Sequence, residues 1–290
     1  MFIAIASGKG GTGKTTVATS MAIALSDSGF KVNFLDCDVE APNAHIFLQP
    51  DLNLKKAVTL PVPQVNANLC SACGRCAEVC QYNAIVVLGR KTLVFPQLCH
   101  GCGSCTLECP EGAITEVPRE LGVLEAGSTP AGVEFAHGIL NVGEPMAVPV
   151  ISQLKDWQDF SKDDIVILDS PPGASCPVVA SIREADFVLL VTEPTPFGLH
   201  DLKLAVQLTR ELESPVGVII NRDCIGDHYV EEYCQQAGLS IFMKIPFDLD
   251  IGKGIAEGKT LIDIHPEYRQ QFTDLYNKLA ALAIEERGKR

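Results

Sequence analysis

This 290-residue chain is poor in aromatic residues, 6% of the total, with a single tryptophan. It also lacks an excess of positive charge: 23 Lys and Arg stand against 36 Asp and Glu, for a net charge of −13. That deficit argues against a broad electrostatic footprint for nucleic acid or for an anionic membrane surface. No apolar run reaches the ~18 residues a membrane-spanning helix needs, and the apolar stretch at 2–6 is too short for a signal peptide. No long low-complexity tract appears. The reading is a soluble, cytoplasmic protein with no nucleic-acid partner. What the chain does have is apolar residues, 47%, enough for one large or two modest domains. It also has twelve cysteines, eight of them in metal-type spacing. Without an export signal they read as reduced thiolates, not disulfides.

The stretch Ser7-Gly8-Lys9-Gly10-Gly11-Thr12-Gly13-Lys14-Thr15-Thr16 follows an apolar run at 2–6 and opens into a helical segment at 17–25. From Gly8 to Thr15 it fits G-x-x-x-x-G-K-[ST]. Glycines let successive backbone N–H groups wrap a polyphosphate, and the helix N-terminus adds its positive dipole end. Lys14 is expected on the β- and γ-phosphates, and the Thr15 hydroxyl on Mg²⁺. A strand at 31–36 ends in Asp36-Cys37-Asp38, and one at 165–169 ends in Asp169-Ser170-Pro171-Pro172-Gly173. Carboxylates at strand ends beside a P-loop stand where Mg²⁺ and water must be managed; turn and cap chemistry is the plainer alternative. Strands at 185–192 and 215–222 and a helix at 198–212 continue an α/β alternation, which predicts a doubly wound, mostly parallel sheet.

Between 65 and 116 one pattern occurs twice. Cys70, Cys73, Cys76 and Cys80 repeat in spacing as Cys99, Cys102, Cys105 and Cys109, and the flanks after Cys80 and Cys109 repeat too. Three thiolates in one tight loop with a distant fourth make a compact ligand set. Structural zinc more often uses two separated pairs.

Lys9 makes the P-loop more specific. The run from Lys9 to Thr15 resembles the deviant Walker A signature of the MinD, ParA and nitrogenase-iron-protein superfamily. The paired cysteine runs resemble a bacterial-type 2[4Fe–4S] ferredoxin, with Gln81 where a proline is usual. The resemblance covers nearly the whole chain. It implies a P-loop ATPase in two parts, 1–61 and 118–290, with a small α+β ferredoxin domain inserted at 62–117. It implies ATP or ADP, Mg²⁺ and two [4Fe–4S] clusters as cofactors. Cys70, Cys73, Cys76 and Cys109 hold the first cluster; Cys99, Cys102, Cys105 and Cys80 hold the second. Lys9 reaches the phosphates of a dimer partner, which is a second copy or a paralogous ATPase. Asp38 handles the attacking water, Asp36 is a weaker Mg²⁺ candidate, Asp169 holds Mg²⁺ through water, and Gly173 senses the γ-phosphate. Asn221 contacts adenine, with a second base loop at Pro246 and Asp248. Three roles follow: an ATP-gated electron donor with a redox partner, an assembly factor that delivers clusters or metal to an apo-metalloprotein, and a positioning switch whose clusters sense redox state.

Other residues read as structural. Cys37 is a packed strand-end thiol. Cys176 reads as a buried thiol, because a bridging cluster would need a second cysteine that neither Cys224 nor Cys234 supplies. His137 sits among apolar residues with no ligand candidate near it. Short strands are expected at 121–124 and 133–140, and a helix at 149–160. The helix at 266–286 has apolar spacing suited to packing on the sheet. The tail at 285–290 has no large apolar residue, so no stable membrane anchor is expected.

Overall fold

A computed structural model describes residues 1–157, 159–161 and 163–287; the side chains of 284–287 lie outside the described set. The strands are β1 (Phe2–Ala6), β2 (Val32–Asp36), β3 (Asp51–Val65), β4 (Ile85–Leu88), β5 (Lys91–Val94), β6 (Ile114–Ser128), β7 (Glu134–Leu140), β8 (Ile165–Asp169), β9 (Phe187–Thr192), β10 (Val216–Asp223) and β11 (Ile241–Pro246). Nine of them form one sheet in the order β11-β10-β9-β1-β8-β2-β7-β6-β3. Pairing is parallel from β11 through β7, and β6 and β3 then join antiparallel.

The sheet's apolar strands are buried on both faces, which is why they read as continuous apolar runs. Ile3 and Ile5 of β1 enter one core layer, and Ala4 and Ala6 the other. β8 divides the same way, Ile165 and Ile167 against Val166 and Leu168. The first layer contains residues of α1 (Lys14–Asp27), α10 (Leu261–Ile264) and α11 (Tyr268–Arg287). In α11, Phe272, Leu275 and Leu279 are buried, as the apolar spacing predicts. The expected character of the tail falls on side chains outside the described residues. The second layer contains residues of α5 (Val148–Lys155), α6 (Cys176–Ile182), α7 (Pro196–Glu211) and α8 (Tyr229–Ala237). The helix expected at 149–160 is the shorter α5; positions 158 and 162 lie outside the described residues. No described helix is long and apolar enough to cross a membrane.

The main departure from expectation is a ribbon. β3 and β6, of 15 residues each, pair along their whole length, and residues 122–128 of β6 also pair with β7. The expected short strand at 121–124 is thus a piece of β6. Residues 51–57 of β3 are exposed and carry Lys55 and Lys56, so no clean in–out alternation announces a strand. Pro61 faces Pro118 across the ribbon, and Val62 faces Val117. The boundaries 62 and 117 therefore lie opposite each other on neighbouring strands.

Beyond the ribbon, residues 66–113 form a small lobe. It contains α3 (Arg75–Val79), α4 (Ser104–Leu107) and the β4–β5 hairpin. The duplicated sequence gives duplicated backbone. Ala72 and Gly101, Gly74 and Gly103, and Asn83 and Gly112 pair off by position in the repeat, and all six have positive φ. The amides of Ala84 and Ala113 donate to the Sγ of Cys80 and Cys109, each at 3.3 Å.

Candidate functional site

The P-loop leaves β1, and Asp36 and Asp169 end strands close beside it. Asp36 and Asp169 are register partners across β2 and β8, so two carboxylates stand side by side. Gly13 precedes α1 at φ 92°, and a Cβ there would lie 2.2 Å from the Asn221 amide nitrogen. A Cβ on Gly8 would lie 2.2 Å from the Asp201 carbonyl oxygen of α7. Both glycines are thus fixed by close approach.

A cavity of about 480 Å³ opens at these strand ends. Gly10, Gly11, Gly13, Lys14, Thr15, Thr16 and Asp38 line one part, and Asn221, Pro246 and Asp248 another. Asn43, in the stretch after β2, and Phe247, in the expected base loop, also line it, as do Phe47, Arg222, Ile251 and Ile255, which the sequence reading does not single out because nothing in their spacing marks them. Thr12 is buried, with its carbonyl accepting from Asn221 Nδ2 at 2.8 Å. The Asn221 side-chain carbonyl oxygen takes the Arg222 amide at 2.9 Å, so both ends of the side-chain amide have a partner within the protein. Gly173, at φ 101°, donates its N–H to the Ser7 carbonyl at 2.9 Å and ties the segment after β8 to the P-loop.

Charge in the pocket is paired in cis. Lys14 Nζ lies 2.6 Å from Asp169 Oδ1, both buried. Burial opposes the lysine's charge, but Asp169, with Asp36 and Asp38 behind it, holds Lys14 above its ordinary value. Asp36 accepts the amides of Asp38 at 3.1 Å and of Asn43 and Ala44 at 3.0 Å. It thereby shapes the loop after β2 and starts α2 (Ala44–Leu48). Burial, then the neighbouring charge of Asp169, pushes its carboxyl up to about 7. Asp38 is raised as well, by burial and by Asp169 against the pull of Lys14. Lys9 pairs with Glu193 of its own chain. Three buried polar atoms of the P-loop and of the strand end beside it have no protein partner: Thr12 Oγ1, Asp169 Oδ2 and Ser170 Oγ.

The cysteines of the lobe sort into two sets. Cys70, Cys73, Cys76 and Cys109 line one cavity; Cys80, Cys99, Cys102 and Cys105 line a second. In each set three come from one run and the fourth from the other run. No three His, Cys, Asp or Glu side chains among the described residues come within range of a single ion. Tyr82 and His100 stack at 3.8 Å beside the second cavity.

Two structural expectations need correction. Cys176 is exposed, not buried. It begins α6, whose buried face is Val178, Ser181 and Ile182, and a residue two before Val178 falls on the other side of a 3.6-residue helix. His137 is buried as expected but has titratable neighbours. Its Nε2 lies 3.2 Å from Glu125 Oε2, and its ring meets His45 at 5.5 Å. These partners sit 12 residues before it and on α2, where local sequence gives no hint. Cys37 and Cys234 are buried, and Cys224 is exposed.

The fold and the P-loop pocket define a nucleotide-binding protein. The family profile described as the CobQ/CobB/MinD/ParA nucleotide binding domain matches residues 3–262, and the chain belongs to that family. It is similar to an uncharacterised protein of Methanocaldococcus jannaschii, 33% identical over 280 residues that make up 96% of each chain. It is similar also to an iron–sulfur cluster carrier protein of Aquifex aeolicus, 27% identical over 91% of this chain and 62% of that one. Among solved structures it shares its fold with the septum site-determining protein MinD of Pyrococcus horikoshii in complex with Mg-ADP. That likeness has a TM-score of 0.57 and 21% identity over 97% of this chain and 98% of the other.

Proposed function

We propose that this chain is an Mg-ATP-hydrolysing iron–sulfur protein. In this reading a nucleotide-driven change of a two-fold dimer is coupled to electron transfer through two [4Fe–4S] clusters. The observation that carries it is the sorting of eight cysteines into two four-thiol cavities, on a ribbon that belongs to the same sheet as the P-loop.

The residues fit the groups. Asp169 Oδ2 is buried without a partner, its other oxygen pairs with Lys14 of the pocket wall, and Thr15 and Asp38 line the same pocket; these are donors of the kind a hard divalent cation takes. Magnesium there would neutralise phosphate charge. Each cavity in the lobe offers four thiols, and backbone N–H groups already reach Cys80, Cys99 and Cys109. A cubane is larger than one ion, so its thiolates need not converge on a point; it would supply one-electron chemistry.

In the ATP site, Lys14 leaves Asp169 for the phosphates, and the P-loop amides hold them. A water oxygen bonds the γ-phosphorus as the bond to the β–γ bridging oxygen breaks, giving ADP and phosphate. Asp38, its carboxyl raised by burial, orients that water and takes its proton. Asp36 keeps the loop that carries Asp38 in shape. Phe47, Phe247, Ile251 and Ile255 form the apolar end for the base.

Packing supports a route from nucleotide to lobe. α6 follows the segment 169–173, and Lys155 of α5 donates to the carbonyls of Ala180 at 3.2 Å and Arg183 at 2.7 Å at its C-terminal end. Gln153 of α5 donates to the Thr59 carbonyl of the ribbon at 3.1 Å. Val150, Ile151 and Leu154 share a core with Val58, Leu60 and Leu121. A displaced α6 therefore presses on the ribbon through one packed helix.

The test is an anaerobic redox titration followed by electron paramagnetic resonance, with and without Mg-ATP, beside Lys14→Ala. The expected outcome is a lowered cluster potential in wild type with ATP and no change in the variant. Unmoved potentials in both proteins overturn gated electron transfer. A second reading, ATP-dependent delivery of clusters to an apo-metalloprotein, is favoured by the carrier relative and by the exposure of Cys73 and Cys102. Transfer of labelled iron to an apo-acceptor that requires ATP would establish it.

A further inference from the structure

Lys9 of the P-loop and Arg222 of β10 both reach one carboxylate. Lys9 Nζ meets Glu193 Oε1, and Arg222 Nη1 meets Oε2 at 3.0 Å. Glu193 lies in the turn between β9 and α7 and is 8% exposed. The side chains of Lys9 and Arg222 are 31% and 47% exposed. The turn is stiff: Thr195 caps α7 by accepting from Gly198 N at 3.0 Å, and its hydroxyl also donates to Glu193 Oε1 at 3.3 Å. A Cβ on Gly198 would lie 2.2 Å from the Glu193 carbonyl oxygen, so the chain cannot shift the carboxylate easily. Arg222 has φ 54°, a left-handed backbone that aims it back at the turn, directly after the Asn221 that holds Thr12 of the P-loop.

We propose that Glu193 is a cis latch on Lys9: it holds that lysine against its own chain in the nucleotide-free monomer and sets the threshold for ATP-dependent dimerisation. The inference rests on the reading of Lys9 as a residue that acts on a partner's phosphates. Two cations on one buried carboxylate make the latch releasable. A buried carboxylate stripped of its only cation is costly, but when Lys9 departs Arg222 remains on Glu193. Lys9 is the more easily exchanged of the two, because its single ammonium gives up one carboxylate oxygen for the oxygens of a triphosphate. Every protomer must break this contact before the dimer closes, so the contact weakens dimerisation and keeps the nucleotide-free chain open.

Glu193→Gln tests the latch in two measurements on the full chain. In the first, a limiting amine-acylating reagent is added to the nucleotide-free protein, and labelling is read by mass spectrometry relative to the exposed Lys56. Lys9 labelling is expected to rise several-fold. In the second, dimerisation with Mg-ATP is followed by light scattering against protein concentration, beside Lys9→Ala. The midpoint is expected about tenfold lower or more in Glu193→Gln. Unchanged Lys9 labelling overturns the latch. Freed Lys9 with an unmoved midpoint, while Lys9→Ala dimerises poorly, overturns the regulatory role and leaves the trans reading standing. Freed Lys9 with Lys9→Ala dimerising like wild type overturns the trans reading and the latch's role with it. Glu193→Asp retains a charge for Arg222 but withdraws the carboxylate by one methylene. It guards against a folding defect and should move both readouts the same way by less.

Discussion

The nucleotide pocket and the cysteine lobe satisfy their polar groups in different ways. In the pocket Lys14 rests on Asp169, and Lys9 and Arg222 rest on Glu193. These pairs belong to a nine-stranded sheet buried on both faces. The lobe has two small cores, and thiols are part of both: Cys99 with Val62 and Ala84, and Cys76 with Ile85 and Ile114. Its helices α3 and α4 have 5 and 4 residues, well below the length that holds in water unaided. The lesson is a division of labour. The pocket is held by ion pairs on a large sheet, whereas the lobe has little core of its own, and in the proposed function its clusters would supply the missing order.

The largest expected effect separates the two regions outright. Cys99→Ser should remove about half of the iron and sulfide. It should open 66–113 to protease while thermal unfolding of the ATPase core stays close to wild type. A core that unfolds together with the lobe would break the comparison. In the opposite direction, Lys14→Ala should lower ATP hydrolysis about a hundredfold or more with iron content unchanged. Iron loss in that variant would mean the lobe leans on the pocket. The smallest effect sharpens the account of charge in the pocket. Asp36 is raised from 3.8 to about 7, so the folded, nucleotide-free state binds the extra proton between those values. Its contribution to stability is complete below 3.8 and is lost as the pH rises toward about 7. The melting temperature of wild type minus that of Asp36→Asn should therefore fall between about pH 5 and about pH 8. A flat difference would mean that Lys14 and the three backbone amides already compensate the charge.

What was legible in the sequence was local. The P-loop, the acids after β2 and β8, and the cysteine runs each declare themselves within about ten residues, because their chemistry needs close spacing. The cysteine pattern itself runs from Cys70 to Cys109, so the expected boundaries at 62 and 117 lie outside it, facing each other on the ribbon. The ribbon was not legible: Asp51 pairs with Ser128 across the whole insert, and the exposed half of β3 carries no alternation to announce it. Nor was Glu193, an acid after an apolar strand, 184 residues from the lysine it holds. Cys176 was misjudged because burial on a short helix depends on which face meets the sheet, and seven residues give too little periodicity to tell. Asp36 was singled out, but its work on three backbone amides is visible only in three dimensions.

The facing pair Pro61 and Pro118 has a mechanical consequence. Neither has an N–H to donate, and the outward Thr59 carbonyl two residues before Pro61 puts the pair at a non-hydrogen-bonded rung, so the ladder keeps its bonds there. The pair lies just beyond the last points where the ribbon is tied to the body, Arg119 to Glu144 and Thr59 to Gln153. There the second thiol cavity begins at once: Pro61 and Pro63 line it beside Cys80, Cys99, Cys102 and Cys105. The prolines thus let one continuously paired ribbon serve as a wall of the cavity, and movement of the ribbon at this rung is passed directly to it.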